Sequence, residues 1–313
     1  MFFKSLKYLF IVLFVSVTFG FLFFETVNYG LKKSNKDAYG IINYIIQNKE
    51  DNKICIIGNS RAMNDLNPLV FEQEIGVATF NSGNYKNQIT EVKLLLDRYL
   101  YSNHSKPKAI LFVIDGNVLN ADLEISFPPR YFPYYDDSLI YNEIAKVNPE
   151  IRAIKKCPAI AITQYTDYMR QLGMISAISP QCWLENKGFL PLQTGEFHEG
   201  KKTSGLDSKV MFDVSGLKKM MDLCKTMQKL GIKLYLIAPP TFQKNDLDLM
   251  KCPFGEALKQ FIKKYLKDYN VDLLDYTHID LCLKKKYFYD TYHLNAKGAE
   301  VFSKLVVQDI KLK

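Results

Sequence analysis

Five short apolar runs, separated by helical patterns, restrict this sequence to a small set of architectures. They are Lys53–Ile57 (KICII), Val77–Phe80, Ala109–Ile114 (AILFVI), Lys233–Ala238 (KLYLIA) and Val271–Leu274. Consecutive rather than alternate apolar positions are the signature of strands buried on both faces of a parallel sheet. Between the runs, Glu91–Tyr101, Leu217–Leu230 and Glu256–Tyr269 carry apolar residues at helical spacing. A last helical pattern, Ala296–Ile310, follows Asn295, a good N-cap residue. Strands alternating with helices predict a three-layer α/β/α fold around a mostly parallel five-stranded sheet.

Two segments stand outside this rhythm. From Tyr8 to Phe24 the chain is uncharged and strongly apolar (YLFIVLFVSVTFGFLFF), bounded by Lys7 and Glu25. That run reaches the lower limit of about 17 residues for a membrane-spanning helix, and Thr26 to Tyr29 extend it into the interface. No small-x-small cleavage site follows, so residues 1–30 read as an uncleaved anchor that meets the lipid bilayer through residues 8–29. Lys4 and Lys7 on one side are matched by Lys32, Lys33 and Lys36 on the other, so charge bias sets no orientation. Residues 31–313 read as one α/β domain interrupted at about 120–215, where aromatic, Pro and Gly residues accumulate, as in FPPRYFPYYDD (Phe127 to Asp137). A stretch that long carries its own structure, as a lid, a substrate wall or a plain subdomain.

Composition bounds the partners. With 48% hydrophobic and 24% charged residues, the chain is balanced for a packed core rather than for disorder. The net charge of +8 is compatible with anionic lipid or an acidic polymer, but no Arg-rich stripe or nucleic-acid motif accompanies it, so no nucleic acid is expected. Six cysteines (Cys55, Cys157, Cys182, Cys224, Cys252, Cys282) form no CxxC pair and no zinc-like spacing, so no metal or other cofactor is expected. Cys55 falls inside a strand pattern and reads as a small buried hydrophobe.

The chemistry-bearing residues sit at the two ends of the α/β pattern. Ile57-Gly58-Asn59-Ser60-Arg61 directly follows the first strand, where open α/β sheets bind ligands. A Gly-x-Ser alone is weak, because both residues are ordinary in turns. Asp290-Thr291-Tyr292-His293, just before the last helix, changes the balance. A serine hydroxyl needs a base within hydrogen-bond reach, and histidine suits that task. A carboxylate three residues earlier can fix its tautomer and stabilise the imidazolium. The predicted catalytic set is therefore Ser60, His293 and Asp290. His104, His198 and His278 read as surface or structural residues.

These blocks resemble the SGNH (GDSL-type) hydrolase superfamily. GNSRA supplies the first block, with Asn59 where many members have Asp; FNSGN supplies Gly83, IDGNV supplies Asn117, and Asp290 with His293 supplies the last. The blocks run in the family order from about Ile54 to the final helix, leaving the middle insertion unmatched. The third departs from the usual Gly-x-Asn-Asp, with Asp115 for the Gly and Val118 for the trailing Asp. The resemblance implies a flavodoxin-like sheet, a serine esterase or O-acyltransferase, and an oxyanion hole from the Ser60 and Gly83 amides and the Asn117 side chain. Arg61 and Asp115 are candidate substrate contacts. Anchored SGNH-like proteins resembling the alginate O-acetyltransferases or the D-alanyl transfer protein of teichoic acid act outside the cytoplasmic membrane with a multispanning acyltransferase partner. That likeness implies an acyl-ester donor, a glycan acceptor and O-acetyl transfer to or from an extracytoplasmic bacterial polysaccharide. Two alternatives stay open: a catalytically silent scaffold whose aromatic-rich insertion stacks on sugar rings, and a membrane-associated phospholipase or esterase.

Overall fold

The computed structural model describes residues 2–47, 50–102, 106–119, 125–180, 184–198, 214–243, 260–267 and 269–310 of the 313-residue chain. His104, Cys182, Cys252, residues 199–213 of the expected insertion and the first turn of the helix expected from Glu256 lie outside the described residues. In chain order the elements are α1 (Phe2–Leu31), α2 (Asp37–Gln47), β1 (Ile54–Ile57), α3 (Ser60–Asp65), α4 (Pro68–Ile75), β2 (Thr79–Asn81), α5 (Ile89–Ser102), β3 (Ala109–Val113), α6 (Ser138–Val147), α7 (Ile151–Lys156), α8 (Asp167–Ile178), α9 (Val214–Leu230), β4 (Lys233–Ala238), β5 (Val271–Asp275) and α10 (Ala296–Asp309). Residues 260–265 are also helical.

The chain divides into two compact units. The larger, Ile45–Ser126 with Leu184–Lys313, holds the sheet. Its five strands are all parallel, in the order β2-β1-β3-β4-β5. β1 leads outward to β2, and the chain then crosses back to β3 on the other side of β1. The strand order therefore reverses between β1 and β3, and the crevice beyond their C-terminal ends is where such sheets bind ligands. Ile54, Cys55 and Ile56 have no exposure at all, which explains the unbroken apolar run, whereas β5 is an edge strand with no fully buried residue. Alternate residues (Ile54 and Ile56, Leu111 and Val113, Tyr235 and Ile237) join Phe302 and Val306 of α10 in one core layer. On that side α10 packs with α3 and α4, while α5 packs with α9. Burial holds the Cys55 thiol up at about 12, so it stays protonated and serves as packing.

The smaller unit is Met1–Tyr44 with Phe127–Trp183. The expected insertion is thus split: its first part builds a helical body with the N-terminal segment, and Leu184–His198 belongs to the sheet unit. Glycines let α1 and α8 meet backbone to backbone, since a Cβ on Gly173 would lie 2.6 Å from the Val27 carbonyl oxygen. Asn43 donates to the carbonyls of Leu31 and Ser34, both at 2.8 Å, and so satisfies the end of α1. The Tyr134 and Tyr165 hydroxyls donate to Asn43 and Asn28 at 2.9 and 2.6 Å. Tyr131, Phe132 and Tyr134 of the aromatic-rich run are buried. They are core residues of this unit, so their faces are not open for stacking on sugar rings. Along α1 the burial changes abruptly: large apolar residues from Leu6 to Leu22 are exposed, and Phe24, Val27 and Leu31 are fully covered. Lys4–Leu31 is long and apolar enough to cross a membrane.

Candidate active site

The turn that carries Ser60 is built by one glycine and one cap. Gly58 leaves β1 with φ +149°, and a Cβ there would meet Ala62 Cβ at 2.8 Å and the Val113 carbonyl oxygen at 2.9 Å. Asn59 then caps α3, its side-chain oxygen accepting from the Arg61 amide at 3.0 Å. Ser60 is consequently the first residue of α3, half-buried, with its amide in the turn that has no intrahelical acceptor.

His293 arrives on a tight hairpin before α10. Phe288 and Leu294 form an antiparallel bridge, and the Tyr289 amide donates to the His293 carbonyl at 2.9 Å. Inside that loop, Asp290 Oδ1 accepts from the Tyr292 and His293 amides, both at 2.7 Å. The same carboxylate accepts from His293 Nδ1, at 3.0 Å to Oδ2 and 3.1 Å to Oδ1. A carboxylate that only accepts fixes the ring proton on Nδ1, which leaves Nε2 as an acceptor. Nε2 lies 3.0 Å from Ser60 Oγ. Burial pushes the Asp290 carboxyl up, but the His293 ring and the two amides outweigh it and hold the group below its ordinary value. Asn295 locks the loop to the helix behind it, accepting from the Gly298 amide at 3.0 Å and donating to the carbonyls of Lys286 and Phe288.

Further side chains tie these turns together; Asp65 and Asn81 were not singled out in the sequence, whereas Asn59 and Asp115 were, Asp115 as a candidate substrate contact. Asp65, fully buried at the end of α3, accepts from the Leu294 amide at 2.9 Å and from Arg61 Nε at 3.3 Å. It therefore joins the helix carrying Ser60 to the residue after His293. Burial pushes its carboxyl up to about 6, against the pull of Arg61, of His293 and of the Leu294 amide. Asn81, at the end of β2, donates to the carbonyls of Ala62 and Leu66 at 2.7 and 2.8 Å and so closes the C-terminal end of α3. Asn59 donates to both Asp115 oxygens at 3.0 Å, bridging the loops after β1 and β3, and Asp115 also accepts from the Val118 amide at 2.8 Å. Two of the three positions that depart from the family pattern, Asn59 and Asp115, are thus each other's hydrogen-bond partners. An i,i+4 spacing of Arg61 and Asp65 was visible in SRAMND; the partners beyond α3 had no local signal.

The remaining predicted site residues are placed differently. Arg61, expected to contact substrate, is buried, with its guanidinium committed to Asp65 and the Pro240 carbonyl. Gly83 packs under α3, where a Cβ would come within 2.5 Å of the Met63 nitrogen, and its amide donates to Asn81 Oδ1 at 2.8 Å. An amide so engaged is not aimed at an oxyanion in this arrangement. Asn117 is exposed on the turn at 116–119. His198 and His278 are exposed; the His198 ring lies 4.4 Å from that of Tyr289, beside the hairpin that carries His293. Among the described residues no three His, Cys, Asp or Glu side chains converge as a metal site would require, and Cys55, Cys157, Cys224 and Cys282 are free thiols.

No known protein family matches the chain, and no curated protein does. Among solved structures it is similar to one described as that of a proposed platelet activating factor from Streptococcus pneumonia. The identity is 13%, the TM-score 0.40, and the match covers 90% of this chain and 94% of that one. A likeness of that size says nothing about chemistry.

Proposed function

We propose that the protein is a serine-dependent esterase or acyltransferase of SGNH type that works through an acyl-enzyme. One observation carries this reading: Ser60, His293 and Asp290 form a continuous hydrogen-bond chain, 3.0 Å at each link, beyond the C-terminal ends of β1 and β3. Ser60 Oγ attacks the ester carbonyl while its proton passes to His293 Nε2. Asp290 stabilises the imidazolium that results. The tetrahedral oxyanion faces the first turn of α3, where the Ser60 amide is the available donor. Collapse breaks the C–O bond, and the leaving alkoxide takes the proton from His293. In the second half, His293 removes a proton from water or from a sugar hydroxyl, that oxygen attacks the acyl-enzyme, and Ser60 recovers its proton.

A domain tethered to a bilayer by α1 suits an acceptor that lies at the membrane surface, and we assign the acyl chemistry to O-acetyl transfer to, or removal from, an extracytoplasmic bacterial polysaccharide. The test is p-nitrophenyl acetate turnover by the full chain in detergent, followed by addition of acetylated and deacetylated envelope polysaccharide. The reading predicts a burst of one nitrophenolate per chain, then faster turnover or acetate movement with polysaccharide; no burst and no acetate movement would sink it.

A second reading, a catalytically silent glycan-binding scaffold, draws on the Gly83 amide being bonded to Asn81 and on the exposure of Asn117. It predicts that Ser60→Ala leaves the cellular phenotype intact.

A further inference from the structure

In the smaller unit, the point at which α1 loses its cover marks a rim. Phe24 is the first fully buried residue on α1, and the Tyr165 ring stacks on it with centroids 6.2 Å apart. Tyr165 ends the 3-10 turn Pro158–Gln164, which itself packs on α1 and on α7. This turn therefore lies at the level where the bare apolar length of α1 begins. Ala161 of the turn faces inward at 0% exposure, whereas Ile160 is 43% exposed. The preceding helix α7 ends in Lys155-Lys156, and Arg152, Lys155, Lys156 and Cys157 are all exposed.

The charges of this face do not balance. Glu143 is paired with Lys146 and Asp167 with Arg170. Glu150 accepts from Gln164 at 3.2 Å. Against Glu150, and Glu25 of α1 close to Tyr165, stand Arg152, Lys155 and Lys156, which leaves one cation in excess. The Lys155 ammonium lies 4.0 Å from the Tyr141 ring centroid, and Arg152 donates to the Ala145 carbonyl at 3.4 Å, so both cations are held on the face without being neutralised. An exposed isoleucine flanked by three cations, one stack away from the start of an apolar span, has the composition of a segment seated at a headgroup layer.

We propose that the α7–Pro158–Gln164 elbow docks on the surface of an anionic phospholipid bilayer, with Ile160 entering the interface and Arg152, Lys155 and Lys156 facing lipid phosphates. The proposal rests on the reading of α1 as a membrane span. A second contact beside the anchor fixes the tilt of the smaller unit, which a single helix leaves free to swivel. Each cation near an anionic surface strengthens the contact on the order of fivefold, so removing three is a large change.

The experiment uses the full chain with Cys182→Ser and Cys252→Ser, reconstituted in vesicles and labelled at Cys157 with an environment-sensitive fluorophore. Cys55, Cys224 and Cys282 are buried and stay unlabelled, which a Cys157→Ser control verifies. Co-sedimentation with the vesicles reports α1 separately from the elbow. In phosphatidylcholine with phosphatidylglycerol, the fluorophore shifts to the blue and is quenched by nitroxide-bearing lipid. Changing Arg152, Lys155 and Lys156 together to Glu lowers that quenching at least threefold, and phosphatidylcholine alone does the same for the unaltered elbow. Quenching absent from anionic vesicles, or unmoved by either change while the protein still co-sediments, overturns the proposal.

Discussion

The two sides of Ser60 are built to different standards. On the His293 side a hydrogen-bond network holds the loop: Asp290 is held by two amides and the His293 ring, Leu294 by Asp65, and Asn295 by three backbone groups. On the opposite side, the Gly83 amide is turned to Asn81 and Asn117 is exposed. In the proposed mechanism, the groups that would move the proton are thus held in place beforehand, whereas the Gly83 amide is turned away from the position expected for the oxyanion. A base needs one fixed tautomer before substrate arrives, and hydrogen bonds within the chain can supply it. Oxyanion donors are needed only as charge develops, and the first-turn amide of α3 is in place regardless.

The largest test of this contrast is Asp290→Asn. An amide can present either end to Nδ1, so the ring is no longer held as an acceptor towards Ser60, and kcat for ester turnover should fall about 10⁴-fold. A fall below tenfold would mean that the hairpin backbone alone orients His293. Next is Asp65→Ala, which leaves the Arg61 cation buried and the Leu294 amide unpaired. Chemical denaturation should show a loss of roughly 3–5 kcal/mol; an unchanged midpoint would show that the two turns are joined by packing alone.

The two carboxylates also titrate in opposite senses. Asp65 is raised from 3.8 to about 6, so its contribution to stability is fullest below about 4 and is lost as pH rises towards 6. Asp290 is lowered, so its contribution is present above its unfolded value of about 4 and is lost only on further acidification. Between pH 4 and 6 Asp65→Asn should therefore flatten the slope of unfolding free energy against pH, and Asp290→Asn should not. The same slope in all three proteins would contradict the assignment.

The smallest expected effect is on the other side of the site. Asn117→Ala should change kcat less than about threefold, whereas a committed oxyanion donor is worth about 10²–10³. A hundredfold loss would show that the turn at 116–119 closes over substrate and that the contrast belongs to the resting state only.

Much of this arrangement was legible in the sequence because its signals are local. Strands buried on both faces write themselves as KICII, AILFVI and KLYLIA, and the structure places strands at Ile54–Ile57, Ala109–Val113 and Lys233–Ala238. Gly58-Asn59-Ser60 at a strand end and Asp290 three residues before His293 are each confined to one turn. What stayed hidden depends on partners far apart in the chain. Asp65 and Leu294 are separated by 229 positions and Asn59 and Asp115 by 56, and no periodicity records such pairs. For the same reason FPPRYFPYYDD left a lid, a substrate wall and a plain subdomain equally open. Its burial is decided by α1, α6 and Asn43 of α2, and the sequence could not bring α1 or α2 to it.

The most direct test of the central claim is the intact mass of the full chain after exposure to a fluorophosphonate, beside Ser60→Ala and His293→Ala. An activated serine predicts one adduct on the unaltered protein, none on Ser60→Ala, and adduct formation on His293→Ala slowed by orders of magnitude. No adduct on folded protein, or an equal adduct on Ser60→Ala, would contradict it.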